Sequence, residues 1–168
     1  MEDTVRIRPI TAEDTANIVK WRNNPNVKNK FLYRALFTEE GHKNWLKTMI
    51  NTGKAAQFII SADGEDIGSV YLRDIDQVSR KAEFGIFIGE DDYLGKGIGL
   101  KATQLILDWG FKSLKLHKIF LRVLATNQRA VNSYQKSGFI QEGYFKDEEY
   151  IDGVFEDIIF MARYSDDC

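Results

Sequence analysis

The chain has 168 residues, 43% of them hydrophobic and 12% aromatic, which is enough apolar material for one domain with a proper core. Its 23 Lys and Arg against 25 Asp and Glu give a net charge of -2 with no local basic block, so the electrostatic footprint of a nucleic-acid binder is missing. No apolar run is long enough to span a bilayer, and the single cysteine, Cys168, excludes an internal disulfide and any zinc-type cysteine spacing.

The opening Met1-Glu-Asp-Thr is acidic and no apolar segment follows it. A secretory signal is therefore not expected, and the protein is read as cytoplasmic. Val5 to Ile10 alternates apolar with basic residues and reads as a first strand. Thr11-Ala-Glu-Asp14 places an N-cap and first-turn acids ahead of a helix expected to run to Asn23, where Asn24-Pro25 stops it. A second helix is expected from Glu39 to Met49. Strands follow at 56–62 and 66–75, joined by the hairpin signal Ala62-Asp-Gly-Glu65, and another at 80–88. After a glycine-rich corner come a helix to Leu114, a strand from Ile119 to Leu124, and a helix opened by Asn127-Gln-Arg-Ala130 and closed at Ser137-Gly138. Two final strands, 140–149 and 154–163, flank Asp152-Gly153. There is no internal repeat or linker. The order β-α-α-β-β-β-α-β-α-β-β implies a mixed sheet with helices on both faces, an α/β (α+β) domain covering 1–168.

The glycine corner carries the most chemistry. Glu83 to Gly99 reads as a strand, an acidic loop and the run Gly95-Lys-Gly97-Ile-Gly99, followed by Ile98, Ala102, Leu105, Ile106 and Trp109 at helical spacing. Bare N–H groups at the start of a helix suit a pyrophosphate, although such glycines can also do no more than make a tight turn. The P-loop pattern GxxxxGK[ST] does not occur. Gly97-Ile-Gly-Leu-Lys-Ala102 fits the dinucleotide pattern GxGxxA, but the next strand ends in Ala125-Thr126-Asn127 without the acid that would hold a ribose. The motif also comes after several strands instead of after the first, so a nicotinamide enzyme is not the expected reading.

Two blocks resemble the GNAT acyltransferase superfamily. Leu94-Gly-Lys-Gly97-Ile-Gly99 is similar to its [RQ]-x-x-G-x-[GA] motif, with Leu94 in place of Arg or Gln. Asn127-Gln-Arg-Ala130-Val-Asn-Ser-Tyr134-Gln-Lys-Ser-Gly138-Phe139 is similar to N-x-x-A-x-x-x-Y-x-x-x-G-F. The resemblance extends over essentially the whole chain. It implies a mixed, mostly antiparallel sheet of about seven strands and acetyl-CoA as acyl donor, with no metal. It also implies that the pyrophosphate lies on the N–H groups of Gly95, Lys96, Gly97, Ile98 and Gly99, and that the pantetheine pairs beside Phe84 to Ile88. Phe87 or Ile88 would offer an N–H to the thioester oxygen, and Asn127 and Ala130 would lie along the pantetheine. Tyr134 would protonate the leaving thiolate: a phenol of pKa about 10 stays protonated where a thiol of about 8.5 begins to ionise. The other reading of Tyr134 is a core aromatic on a helix face. Glu83 would take the amine proton through water, or else pair with a base. No residue resembles an activated nucleophile, so transfer would be direct.

For the acceptor, the two halves point apart. Trp21-Arg22-Asn23-Asn24-Pro25 and His42 resemble the acetyltransferases of nucleotide-linked amino sugars, as in pseudaminic acid synthesis, which implies Arg22 and His42 at the sugar nucleotide. The tail Gly143 to Asp157 resembles spermidine and ribosomal-protein N-terminal acetyltransferases. There Glu142, Asp147, Glu148, Glu149 and Asp152 would attract a polycation or simply face solvent. The amino sugar is the favoured expectation, a polyamine or peptide N-terminus the alternative, and a CoA-binding regulator the non-enzymatic one. Exposed sheet edges are compatible with a homodimer.

Overall fold

The computed structural model describes residues 4–166, so the first three residues of the acidic opening and Cys168 lie outside the described residues. Alternating apolar residues and tight hairpins build a seven-stranded sheet in the order β1-β2-β3-β4-β5-β7-β6. The strands are β1 (Val5–Pro9), β2 (Ala56–Ala62), β3 (Glu65–Asp76), β4 (Lys81–Ile88), β5 (Lys118–Leu124), β6 (Ile140–Ile151) and β7 (Val154–Tyr164). Neighbours run antiparallel except β4 and β5, which are parallel. Both Asp-Gly turns hold both residues at positive φ, Asp63 at 53° with Gly64 at 87°, and Asp152 at 50° with Gly153 at 83°, the twist that a two-residue hairpin needs.

The helices are α1 (Thr15–Asn23), α2 (Pro25–Lys28), α3 (Glu39–Trp45), α4 (Ile98–Lys112) and α5 (Gln128–Lys136). The expected helix over 11–23 is divided into a 3-10 turn at Ala12–Asp14 and α1. Asp14 is drawn back onto the Thr11 N–H at 2.8 Å and the Arg8 guanidinium at 2.8 and 2.9 Å, which also holds its carboxyl below its ordinary range. Asn24-Pro25 ends α1 as expected but also starts α2. Asn24 caps the Asn26 N–H at 3.1 Å, and proline fits the first helical position, where its missing N–H costs nothing. The helix expected to reach Met49 turns from α into a π turn over Leu46–Ile50.

Alternation along the strands divides the core between two faces. Phe58, Ile60, Val70, Leu72 and Phe84 pack with Ile98, Ala102 and Ile106 of α4 and Val131 of α5. Ile59 and Phe87 turn the other way, against Ile18, Trp21 and Val27 of the N-terminal helices. The sheet therefore carries helices on both faces.

Candidate active site

The site is a failure of strand pairing. β4 pairs with β3 from Gly68↔Ile88 to Arg73↔Glu83, but with β5 only at Lys81↔Lys118, Ala82↔Ile119 and Glu83↔Phe120. Beyond Glu83 the two parallel strands part. No bulge lies between Glu83 and Ile88 on the β3 side, where the irregularity falls at Arg73/Asp76, so the opening is a splay of β5 away from β4 and not a kink in β4. The Gly89 N–H donates to Ile67 O at 2.7 Å. Antiparallel alternation then assigns the N–H of Phe87 and Gly85 to β3; the outward N–H of Phe84 closes the last pair with Phe120 of β5, and those of Ile86 and Ile88 turn toward the splay. Of the two residues expected at the thioester oxygen, Ile88 has the outward N–H. Phe87 contributes its ring to the opposite face instead.

The glycine corner sits at one end of this edge. Gly95 and Gly97 both have φ near 75°, and Gly97 caps α4 from the left-handed region. Among the described residues, no N–H from Gly95 to Gly99 donates to a loop or turn carbonyl, and the first N–H groups of α4 have no partner within the helix. The Leu94 N–H is spent on Asp91 O at 3.1 Å, so the donors begin at Gly95 and the Leu94 departure removes none of them. The Arg129 guanidinium lies 3.2 Å from where a Cβ on Gly95 would sit, adding a cation that the sequence reading did not name. A Cβ on Gly97 or Gly99 would meet nothing within 4 Å, which leaves open space over the corner for phosphates.

A cavity of about 750 Å³ runs from the splay into the N-terminal helices. Asn127 and Tyr134 reach it from α5. The Asn127 carbonyl caps the Ala130 N–H at 3.3 Å, leaving its amide N–H₂ for a ligand. Tyr134 stands edge-on to Phe84 and Phe139, with centroids 5.8 and 5.9 Å away, and lines the cavity. Burial pushes its phenol well above its ordinary pKa, with the Tyr71 hydroxyl adding to the rise. It therefore remains a proton donor throughout the neutral range.

The opposite face is built from charged side chains. Arg22, in the last turn of α1, is 7% exposed, with its guanidinium 3.6 Å from the Phe31 ring centroid and 4.4 Å from that of Phe37. It donates to Tyr33 O at 3.4 Å, while its Nε has no partner. His42 is fixed on α3, whose N-cap Thr38 accepts from the Gly41 N–H at 3.1 Å. Its Nδ1 meets Thr15 Oγ1 at 2.9 Å, its Nε2 is buried without a partner, and burial lowers its pKa. Glu83 Oε1 takes Arg73 at 2.6 Å and Arg122 at 3.2 Å, so any base role falls to Oε2. Arg22, Lys30, Arg73 and Arg122 line the cavity against only Glu83 and Glu149. Of the hairpin acids, Glu149 alone reaches it. Glu142 pairs with Lys118 at 3.0 Å and Asp152 with Arg34 at 2.9 Å, and none of these four lines the cavity. Among the described residues there is no cluster of metal-ligating side chains, and no helix is long and apolar enough to cross a membrane.

An open parallel edge beside a glycine-capped helix, with a buried tyrosine across from it, is a candidate site whose donors suit a coenzyme A thioester. The Acetyltransferase (GNAT) domain family matches residues 4–140, and the chain belongs to it. It is an N-acetyltransferase, and acetyl-CoA is its acyl donor. The spermidine N(1)-acetyltransferase of Escherichia coli K12 is 32% identical over 159 residues, covering 95% of this chain and 85% of that one. A crystal structure of spermidine N-acetyltransferase from Vibrio cholerae in complex with CoA and spermine superposes with a TM-score of 0.89 at 28% identity, covering 95% of both chains. The acetyltransferase PseH of Campylobacter jejuni is more distant, 25% identical over 130 residues, covering 77% of this chain and 79% of that one. The emphasis that Arg22 and His42 gave to amino sugars is therefore not favoured: similarity along the whole chain runs to the spermidine enzymes.

Proposed function

We propose that the chain acetylates a primary amine of a small molecule at the β4–β5 splay, and that a polyamine of the spermidine kind is the acceptor to expect first. The observation that carries the transfer reading is the unpaired edge of Ile86 and Ile88, which ends at the free N–H groups of Gly95 to Gly99. In this reading Gly95, Lys96, Gly97, Ile98 and Gly99 hold the diphosphate, and Asn127 and Ala130 flank the pantetheine. Ile88 donates to the thioester oxygen, and Tyr134 gives a proton to the departing thiolate. The polyamine reading is supported by the similarity to the spermidine acetyltransferases over 95% of the chain.

One observation favours a second acceptor, an amine on an anion-bearing molecule such as a nucleotide-linked amino sugar. Arg22 Nε, a donor, and His42 Nε2, a donor in the tautomer whose Nδ1 accepts from Thr15, are buried without partners, and the cations lining the cavity outnumber the carboxylates. A polycation gains little from that field, whereas a phosphate is matched by it. An acceptor panel with acetyl-CoA decides between them: spermidine, UDP-linked 4-amino sugars and basic N-terminal peptides. Turnover of spermidine alone establishes the first reading. Turnover of the sugar nucleotide alone replaces it with the second, and turnover of none refutes the transferase site.

A further inference from the structure

We infer that the Tyr71 hydroxyl holds the acceptor's reacting nitrogen against the thioester, an inference that rests on the reading of the splay as the transfer site. Tyr71 of β3 is directly opposite Gly85 of β4. Glycine in mid-strand forfeits packing and costs chain entropy, and Gly85 has no positive φ that would call for it. What calls for it is the tyrosine. A Cβ on Gly85 would lie 2.2 Å from Tyr71 Cζ, 2.3 Å from Oη and 2.6 Å from Cε2. The ring thus lies across β4 in the slot left by the missing side chain, and its hydroxyl is carried to the strand whose far edge is open.

The slot is on the acceptor side. Tyr71 packs with Trp21 and Phe87 in the cluster beneath the N-terminal helices, whereas Tyr134 packs with Phe84 in the other cluster. The two tyrosines approach the splay from opposite faces, and each is within electrostatic reach of the other. Arg22, which also hydrogen-bonds the Tyr71 hydroxyl, and Arg73 bear on Tyr71 from its own face, and Glu83 bears on it from the same strand as Gly85. Burial keeps the phenol above its ordinary pKa against the pull of the two arginines, so the neutral hydroxyl persists at neutral pH. With one lone pair turned to Arg22, its oxygen accepts one N–H of the neutral amine on the other, leaving the nitrogen lone pair free to form the new C–N bond. The C–S bond breaks on collapse of the adduct, the thiolate takes a proton from Tyr134, and the amine's surplus proton passes to water, from which the Tyr134 phenolate is reprotonated. Tyr71 exchanges no proton.

Tyr71→Phe keeps the ring in its slot and removes only the hydroxyl. Steady-state kinetics with spermidine, a UDP-linked 4-amino sugar and n-propylamine test the inference. For every amine that the wild type acetylates, kcat/KM is expected to fall about 10-fold or more, the size of one lost directed hydrogen bond. The KM for acetyl-CoA is expected to stay within about two-fold and the thermal midpoint to stay unchanged, because no packing is lost. The loss should be equal for n-propylamine, since the contact is to the reacting nitrogen and not to the rest of the acceptor. Gly85→Ala, which pushes the ring aside, should reproduce the loss, and the double variant should be little worse than either single one. An unimpaired Tyr71→Phe, a loss confined to the larger acceptors, or additive single effects would each overturn the inference while leaving the transferase reading in place. A wild type that acetylates none of these amines overturns both.

Discussion

In the proposed assignment of a coenzyme side and an acceptor side, the two sides of the β4–β5 splay are made of different materials. The coenzyme side is almost all backbone: outward N–H groups on β4, left-handed glycines at 95 and 97, and the first turn of α4. The acceptor side is almost all side chain: Arg22 among aromatic rings, His42 on Thr15, and Glu83 between Arg73 and Arg122. Backbone donors survive substitution, as Leu94 illustrates by changing a motif position without removing a donor. Side-chain recognition changes with single residues. Relatives can therefore share a donor and a fold while taking different acceptors.

The sharpest way to break this division is at the point where a side chain serves the coenzyme side. Tyr134→Phe should lower kcat by about 100-fold, the lower range for loss of a positioned general acid. Acetyl-CoA affinity by calorimetry should remain within about two-fold. A loss of affinity instead of turnover would make Tyr134 a packing residue. Next comes the backbone site itself. Gly99→Val places a branched side chain in the open space over the corner, so coenzyme A affinity should drop about 10-fold or more while thermal stability holds.

Smaller effects separate the acceptor side. Arg22→Met should raise the KM of an anionic acceptor about 10-fold, as expected for a lost charge-assisted bond, and leave spermidine within about two-fold. Equal effects on both would show that Arg22 only shapes the wall. The mildest effect is on stability. His42 is harder to protonate in the folded protein than in the unfolded chain, because burial disfavours its charged form. The unfolded chain therefore takes up the proton first: stability is whole above about pH 6.5 and declines as the pH falls below it. Denaturant titrations from pH 7.5 to 5 should show that His42→Gln flattens this decline.

The sequence made the coenzyme side legible because its chemistry is local. Glycines at 95, 97 and 99, the Asn127 cap and the apolar run of α4 lie within a few residues of the groups they position. The strands were legible from alternation and from Asp63-Gly64 and Asp152-Gly153, apart from β6, which extends to Ile151 because its hairpin stays paired as far as the turn. The restart of the chain at Pro25 was hidden by reading proline only as a stop. The acceptor side depends on register across strands. Alternation puts Tyr71 and Arg73 on one face of β3, but nothing local says that Gly85 and Glu83 lie opposite them. The missing signal was a mid-strand glycine with no turn to make. The partners of the hairpin acids were hidden for the same reason, since Lys118 and Arg34, which pair with Glu142 and Asp152, lie far away in sequence.

The central assignment is the open β4 edge and the glycine corner as the coenzyme site, and residue-resolved amide hydrogen exchange with and without coenzyme A tests it most directly. Protection should appear at Ile86, Ile88 and Gly95 to Gly99, while Phe87, already paired with β3, should change little. Protection that spares those amides and appears elsewhere would contradict the account.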